Sequence, residues 1–204
     1  MPPLFGRRGR VHRLPVAFAA ADAPRHLSLA ELDAGLRALP AAPKDRGALA
    51  LILRRQHDGT RETPARVVLD RELGVPGDRW SRLPAPRDLD TQLAVMNRDV
   101  ATLIAAGQPL VTFGDNLYVD LDLSAANLPN GTRLRVGGTL VETTPFPHNG
   151  CSKFNARFGN DALRLVQRKE TRHDNYRGVY WRVIEPGEIA AGDAIEVLRG
   201  SAPP

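Results

Sequence analysis

The sequence predicts a mainly β protein with a few helices, an α+β fold whose strands close into a barrel. Three observations carry this. Short runs rich in Val, Ile, Leu and Thr recur along the chain, separated by Gly, Pro, Asn and Asp. The segment Tyr118-Val119-Asp120-Leu121-Asp122-Leu123 alternates, placing acids on one face and apolar residues on the other, as in a sheet with one buried side. Helical periodicity is confined to a few stretches.

The first of these stretches opens with Ser28-Leu29-Ala30-Glu31, a capping-box pattern. Leu29, Leu32, Leu36 and Leu39 follow at helical spacing until Pro40, which cannot continue a helix. The Ala/Pro stretch Leu39 to Pro43 reads as a linker. From Ala48 the period changes: Ala48 to Leu53 and Ala65 to Leu69 read as two strands around a turn at Asp58-Gly59. The loop Gly74 to Trp80 has too few glycines, wrongly placed, for a phosphate-binding P-loop or a dinucleotide fingerprint. Asp88 predicts the N-cap of a helix through Leu89, Leu93, Met96, Val100, Leu103 and Ile104, ended by Gly107. Strands are then expected at Leu117 to Leu123, Thr132 to Val136, Thr139 to Thr144, Val179 to Glu185 and Ala194 to Leu198, with turns at Gly137-Gly138 and Pro186-Gly187. Trp80 and Trp181 read as core aromatics with a polar handle.

Composition bounds the function. With 204 residues the chain is long enough for a core without staples, and 42% hydrophobic and 25% charged residues fit a globular protein. No apolar run approaches the roughly 20 residues a membrane-spanning helix needs, so no membrane partner is expected. The net charge of +5 is concentrated in Arg7, Arg8, Arg10 and Arg13, leaving a nearly neutral body. Aromatic residues make up only 5%, and no aromatic-basic stripe appears, which argues against nucleic acid as a partner. The arginines precede Leu14 to Ala21 and Ala21-Asp22-Ala23, which mimic a secretory signal, but Pro15 interrupts the apolar stretch. The expectation is a loose basic tail on a cytoplasmic protein, with export as the alternative.

Cys151 is the one cysteine, so an internal disulfide, a Cys-x-x-Cys pair and a multi-thiolate zinc site are excluded. The five histidines are scattered, with no pair on one helix face. A lone cysteine is often a small buried hydrophobe. Here, however, Pro147-His148-Asn149-Gly150-Cys151-Ser152-Lys153-Phe154 is a turn opening into a helix, with His148, Lys153 and Arg157 nearby. A helix N-terminus and cations both favour a thiolate, so a reactive Cys151 is the competing reading. Asp78, Asp115 and Asp193, each after glycine, read as turn residues bonding their own backbone, and Asn116 is open to the same role.

Several segments together resemble the MOSC domain, the family named for the C-terminal part of molybdenum cofactor sulfurases. They are Gly77-Asp78-Arg79, Gly114-Asp115-Asn116-Leu117, Leu128 to Leu134, Gly150-Cys151-Ser152-Lys153-Phe154, Arg157-Phe158-Gly159, Arg177-Gly178-Val179-Tyr180 and Gly187 to Asp193. The resemblance covers roughly residues 45 to 199. It implies a bent β-barrel there, preceded by a basic tail and short amphipathic helix over 1–44 and followed by a tail over 200–204. It further implies that Cys151 lies in a cleft, where it ligates molybdenum or carries sulfur. His148, Asn149, Lys153, Arg157 and Arg177, with Arg79 and Asn116, then become contacts for the molybdenum cofactor (molybdopterin). Arg79 and Arg66 are open to pairing with the turn acids or pointing at the ligand.

Two departures qualify the resemblance. The sulfurases join this domain to a large pyridoxal-phosphate enzyme for which 204 residues leave no room, so pyridoxal phosphate is not expected on this chain. The Asn-Gly-Cys context also differs from the Pro-Arg-Cys or Pro-Cys setting of the family's reductases. Two functions follow as expectations. One is a small oxidoreductase that holds the molybdenum cofactor through Cys151, acts on a small-molecule substrate and draws electrons from a donor protein. The other is a sulfur carrier whose Cys151 takes a persulfide from a cysteine desulfurase. A binding module that kept the fold without the chemistry is a third.

Overall fold

The computed structural model describes residues 13–14, for their backbone pairing only, and 25–199. In chain order the elements are β1 (Arg13–Leu14), α1 (Leu29–Ala38), β2 (Arg46–Ile52), β3 (Arg54–Arg55), β4 (Arg61–Glu62), β5 (Arg66–Leu69), β6 (Leu93–Asn97), α2 (Arg98–Ala105), β7 (Leu117–Asp120), β8 (Arg133–Val136), β9 (Thr139–Thr143), α3 (Ser152–Phe158), α4 (Asn160–Gln167), β10 (Val179–Glu185), β11 (Gly187–Ala190) and β12 (Ala194–Leu198). The basic N-terminal segment with its signal-like stretch, apart from the backbone of 13–14, and the 200–204 tail lie outside the described residues.

Seven strands close a barrel in the order β10-β6-β7-β2-β12-β8-β9. Only β6 and β7 run parallel; the other barrel pairs are antiparallel. Alternate residues point inward, so Leu93, Val95, Leu117, Val119, Leu134, Val136, Val141, Trp181, Val183, Ile195 and Val197 form one buried core. In β2 the register shifts between Leu49 and Leu51, which lets both Leu49 and Ile52 face inward despite their odd spacing. Val179–Glu185 and Ala194–Leu198 are strands over the residues that the alternation predicts. Trp80 and Trp181 are both buried; the Trp80 indole donates to Thr91 Oγ1 at 3.0 Å, whereas Trp181 Nε1 has no partner among the described residues.

A helical layer covers the outside of β6 and β7. Met96 and Tyr118 point outward there and meet Leu32, Ile104, Phe113, Phe154, Phe158 and Leu165 in a second core. The predicted capping box on α1 is present: Ser28 Oγ accepts from Glu31 N at 3.3 Å, and Glu31 Oε2 accepts from Ser28 N at 2.9 Å. This helix packs on α2 and α4, with Leu32 fully buried and Asp33 held by both Nη atoms of Arg168 at 3.0 Å.

Two expectations are corrected. The helix expected from Asp88 to Gly107 is a 3-10 turn at Leu89–Thr91, then β6, then α2, which Asn97 caps by accepting from Val100 N at 2.9 Å. Leu93-Ala94-Val95-Met96 is buried on both faces, so it carries no period-2 signal, and its leucine and methionine spacing imitates a helix. The strand at Arg66–Leu69 pairs with β11 rather than with its neighbour in sequence, and β3 pairs instead with the short β4, which β1 also joins.

Candidate functional site

Beside the second core, several stretches that are distant in sequence converge on a cleft of about 340 Å³. Arg55 and Arg61 come from β3 and β4, Phe113, Gly114 and Asp115 from the approach to β7, and His148, Asn149 and Cys151 from the loop after β9. Lys153, Phe154, Arg157 and Phe158 come from α3, with Arg177 and Tyr180 at the start of β10 and Arg79 closing the rim. Gly178 sets the approach of the last segment. Its φ is +95°, and a Cβ there would collide with the carbonyl oxygen of Val95, so only glycine lets Arg177 turn in beside β6.

Asp115 is the buried centre of the site. Its side chain is 1% exposed, and Arg177 Nη1 donates to both of its oxygens, at 2.9 and 3.0 Å. Burial works against the charge, but the Arg177 guanidinium, with Arg55 further off, holds the carboxyl below the usual carboxylate range. The expected role of a turn residue is thereby corrected: Asp115 is a counter-ion. Asp78 caps its own turn by accepting from Trp80 N at 2.9 Å, and also takes Arg55 through its backbone N, Nε and Nη2. Asp193 bonds the nearby backbone of Ala190, as expected.

His148 sits with its side chain 6% exposed and Nε2 3.4 Å from Asp115 Oδ1, its ring 4.4 Å from that of Tyr180. Burial and the charge of Arg177 lower its pKa to about 3, against the opposing pull of Asp115. The imidazole is therefore neutral at pH 7, and its partners assign the proton to Nε2. The expectation that His148 supplies positive charge is overturned by this burial beside guanidinia. Its Nδ1 is buried and has no partner among the described residues.

Asn116 is also corrected. It does not line the cleft but is 1% exposed beneath it, where Oδ1 accepts from Ala94 N at 3.1 Å and from Arg55 Nη2 at 3.3 Å, and Nδ2 lies 3.4 Å from Leu53 O. Arg66 is exposed and pairs with Glu188 at 3.2 Å, away from the cleft.

Cys151 is exposed and is the N-cap residue of α3, its carbonyl accepting from Asn155 N at 2.9 Å. Around it the cations divide into two groups. Arg55 and Arg177 are spent on Asp78 and Asp115. Arg61, Arg79, Lys153 and Arg157 line the same cleft without a carboxylate partner among the described residues. Burial, then the charges of Arg157 and Arg55, lower the pKa of Arg61. The sequence reading missed Arg55, Arg61 and Tyr180. Arg55 ends an apolar run and Arg61 lies in a polar stretch, and nothing local shows that a hairpin folds them over α3.

No group of three or more His, Cys, Asp or Glu side chains suited to a metal ion occurs among the described residues. A second cavity of about 370 Å³, between the end of α1 and Asp174–Tyr176, is lined by no cysteine, histidine or arginine. No helix of the described residues is long and apolar enough to cross a membrane.

Solved structures share the fold, three of which follow. The YuaD protein from Bacillus subtilis superposes with a TM-score of 0.58 at 16% identity, covering 74% of this chain and 95% of that one. YiiM from Escherichia coli gives 0.52 at 21% identity over 80% and 73%, and YiiM from Geobacillus stearothermophilus gives 0.52 at 16% over 75% of each chain. No match was found among curated proteins. The family profile described as the MOSC domain matches residues 89–196, more than half of the chain and all of the segment that carries Asp115, His148, Cys151 and Arg177, and on that match the chain belongs to the MOSC domain family.

Proposed function

We propose that the cleft binds the molybdenum cofactor with the Cys151 thiolate as metal ligand, in a small cytoplasmic oxidoreductase served by an external electron-donor protein. MOSC domains are associated with this cofactor in general. The observation that supports the reading for this chain is one exposed thiol on a cleft where Arg61, Arg79, Lys153 and Arg157 have no carboxylate partner among the described residues. The donor set fits the group: a thiolate is a soft ligand suited to a thiophilic metal, and guanidinium forks suit a phosphate.

When bound, the cofactor would supply redox chemistry at its metal. The residues of the chain position and enclose it. Cys151, on the N-cap of α3, fixes the metal end, while Asn149, Lys153, Arg157 and Arg79 offer donors to the anionic and polar edges. Arg177 is committed to Asp115 and His148 is neutral, so these two orient the wall of the cleft rather than neutralise the ligand. Asn116 acts through Arg55, whose guanidinium it helps to hold. Phe113, Phe154 and Phe158 stack beneath, with Phe113 and Phe158 centroids 4.0 Å apart, and keep water from that side.

The test is expression in a host that makes molybdenum cofactor, followed by metal and pterin analysis. Stoichiometric molybdenum and pterin that disappear in Cys151→Ser are expected; a wild-type protein without either refutes the reading. The exposure of the thiol, with no three-ligand metal cluster among the described residues, favours a second reading: Cys151 receives a persulfide from a cysteine desulfurase and passes it on. Cyanide-releasable sulfur on Cys151 without molybdenum is its signature.

A further inference from the structure

Five large apolar side chains are exposed among the described residues, and three of them, Leu83, Leu89 and Phe146, stand on two loops fastened to each other. Leu83 and Leu89 belong to the connection between β5 and β6, which the Trp80 indole closes on Thr91 Oγ1 at 3.0 Å. Phe146 follows β9, where Thr144 Oγ1 donates to Asp90 O at 2.7 Å and so ties the second loop to the first. The Phe146 ring meets Tyr180 edge-on at 5.9 Å, and Tyr180 in turn lies 4.4 Å from the His148 ring on the wall of the Cys151 cleft. Pro84, Pro86, Pro145 and Pro147 flank these side chains and are themselves exposed. Their fixed φ limits the freedom the two loops lose when a surface covers them. The other two exposed apolar residues, Val68 and Leu198, belong to β5 and β12.

The charge beside this patch has one sign. Arg79 and Arg82 are exposed, and Arg87 Nη1 donates to Leu83 O at 3.0 Å while its guanidinium lies over the Trp80 ring, 5.7 Å from the centroid. None of the three has a carboxylate within ion-pair reach among the described residues. Within residues 79–92 the acids are Asp88 and Asp90, and Asp90 is offset by Arg182 at 3.3 Å, which leaves Asp88 against three arginines. A second copy of the chain on this face would set these arginines against each other, so charge favours a partner of opposite sign.

We infer that Leu83, Leu89 and Phe146, with Arg82 and Arg87 beside them, dock an acidic electron-carrier protein next to the cleft. The inference rests on the reading of the protein as an oxidoreductase served by an external donor, and adds where that donor sits and what charge it bears. Three partly exposed side chains fall far short of the roughly 800 Å² per partner of a lasting interface, which suits a carrier that must leave after each encounter. Apolar contact at the centre holds the pair together, and the arginine rim steers the approach and sets the orientation. A persulfide donor has to bring its own sulfur into bonding contact with Cys151. An electron crosses a gap of packed protein, so a carrier resting against the Phe146–Tyr180 wall need not enter the cleft.

The test is calorimetric titration of the full chain with a plant-type [2Fe–2S] ferredoxin as the acidic one-electron carrier, and with a basic cytochrome c as its opposite, at low and at physiological salt. Wild type is expected to bind the ferredoxin, more weakly as salt rises, and not the cytochrome. Phe146→Ser should weaken ferredoxin binding by about tenfold or more, as loss of a central aromatic anchor does. Arg82→Glu should weaken it by about tenfold at low salt and much less at physiological salt. Val68→Ser and Arg66→Gln, on β5, should bind like wild type. Since Phe146 and Arg82 are exposed, both variants should melt within about 2 °C of wild type, which separates loss of docking from loss of fold.

A wild type that does not bind the ferredoxin at low salt overturns the inference, as does equal affinity in wild type and Phe146→Ser. Sedimentation covers the remaining occupant: a wild-type dimer that Phe146→Ser dissociates assigns the patch to a second copy and likewise overturns it. Ferredoxin binding needs no cofactor on this chain. Binding that Phe146→Ser and Arg82→Glu weaken, in a protein that never acquires molybdenum, therefore upholds the docking surface and sinks only the cofactor reading.

Discussion

Lowering the pH from 8 to 5 should destabilise this protein through His148 specifically. In the fold its imidazole stays neutral down to about pH 3, because burial and the Arg177 charge disfavour the cation. In the unfolded chain the same group takes up a proton near pH 6.5. The unfolded state therefore binds more protons between these values, and stability falls as the pH falls through 6.5 and goes on falling toward 3. Linkage puts the loss from this one residue at about 2 kcal/mol by pH 5. Urea unfolding of wild type and His148→Gln at pH 8, 7, 6 and 5 isolates it, since glutamine does not titrate and all other groups are shared. The wild-type curve is expected to drop by that amount more than the variant, whatever the two absolute stabilities at pH 8. Parallel curves, or an imidazole seen by NMR to titrate near 6.5 in the folded protein, would refute the claim that Asp115 faces a neutral ring.

Asp115→Asn leaves the Arg177 charge buried without its counter-ion and should cost about 3–5 kcal/mol in urea unfolding. Leu32→Ala, at a fully buried contact of α1 with the helical layer, should cost about 2–5 kcal/mol, so a change near zero would mean that α1 is not docked. Cys151→Ser should leave stability within about 0.5 kcal/mol of wild type, because the side chain is exposed. The Cys151 thiol should also react with an aromatic disulfide reagent in the native protein, without denaturant, and reaction only after unfolding would contradict its position on the cleft.

Features written in local patterns were legible before the fold. The Ser28–Glu31 box and Pro40 bound α1 because caps and breakers act within one turn. The strands at Val179–Glu185 and Ala194–Leu198 follow from their residue types, and the series of glycine-acid turns around Cys151 resembled the family that the profile match then showed. Leu93–Asn97 escaped because a strand covered on both faces has no alternation to read, and its spacing of Leu93 and Met96 mimics a helix.

The site divides along the same line. Sequence alone determined that a thiol opens a short helix amid basic residues, because those positions are contiguous. Only the tertiary structure decided which cations remain unpaired. Arg61 and Arg157 are 96 positions apart in the numbering yet meet at Phe113–Gly114, while Arg177, in an equally basic stretch, is consumed by Asp115. It also decided that His148 is neutral and that Asn116 lies beneath the cleft rather than in it. Charge state and pairing depend on which groups share a desolvated space, and residues far apart in the chain enter that space only when the barrel closes.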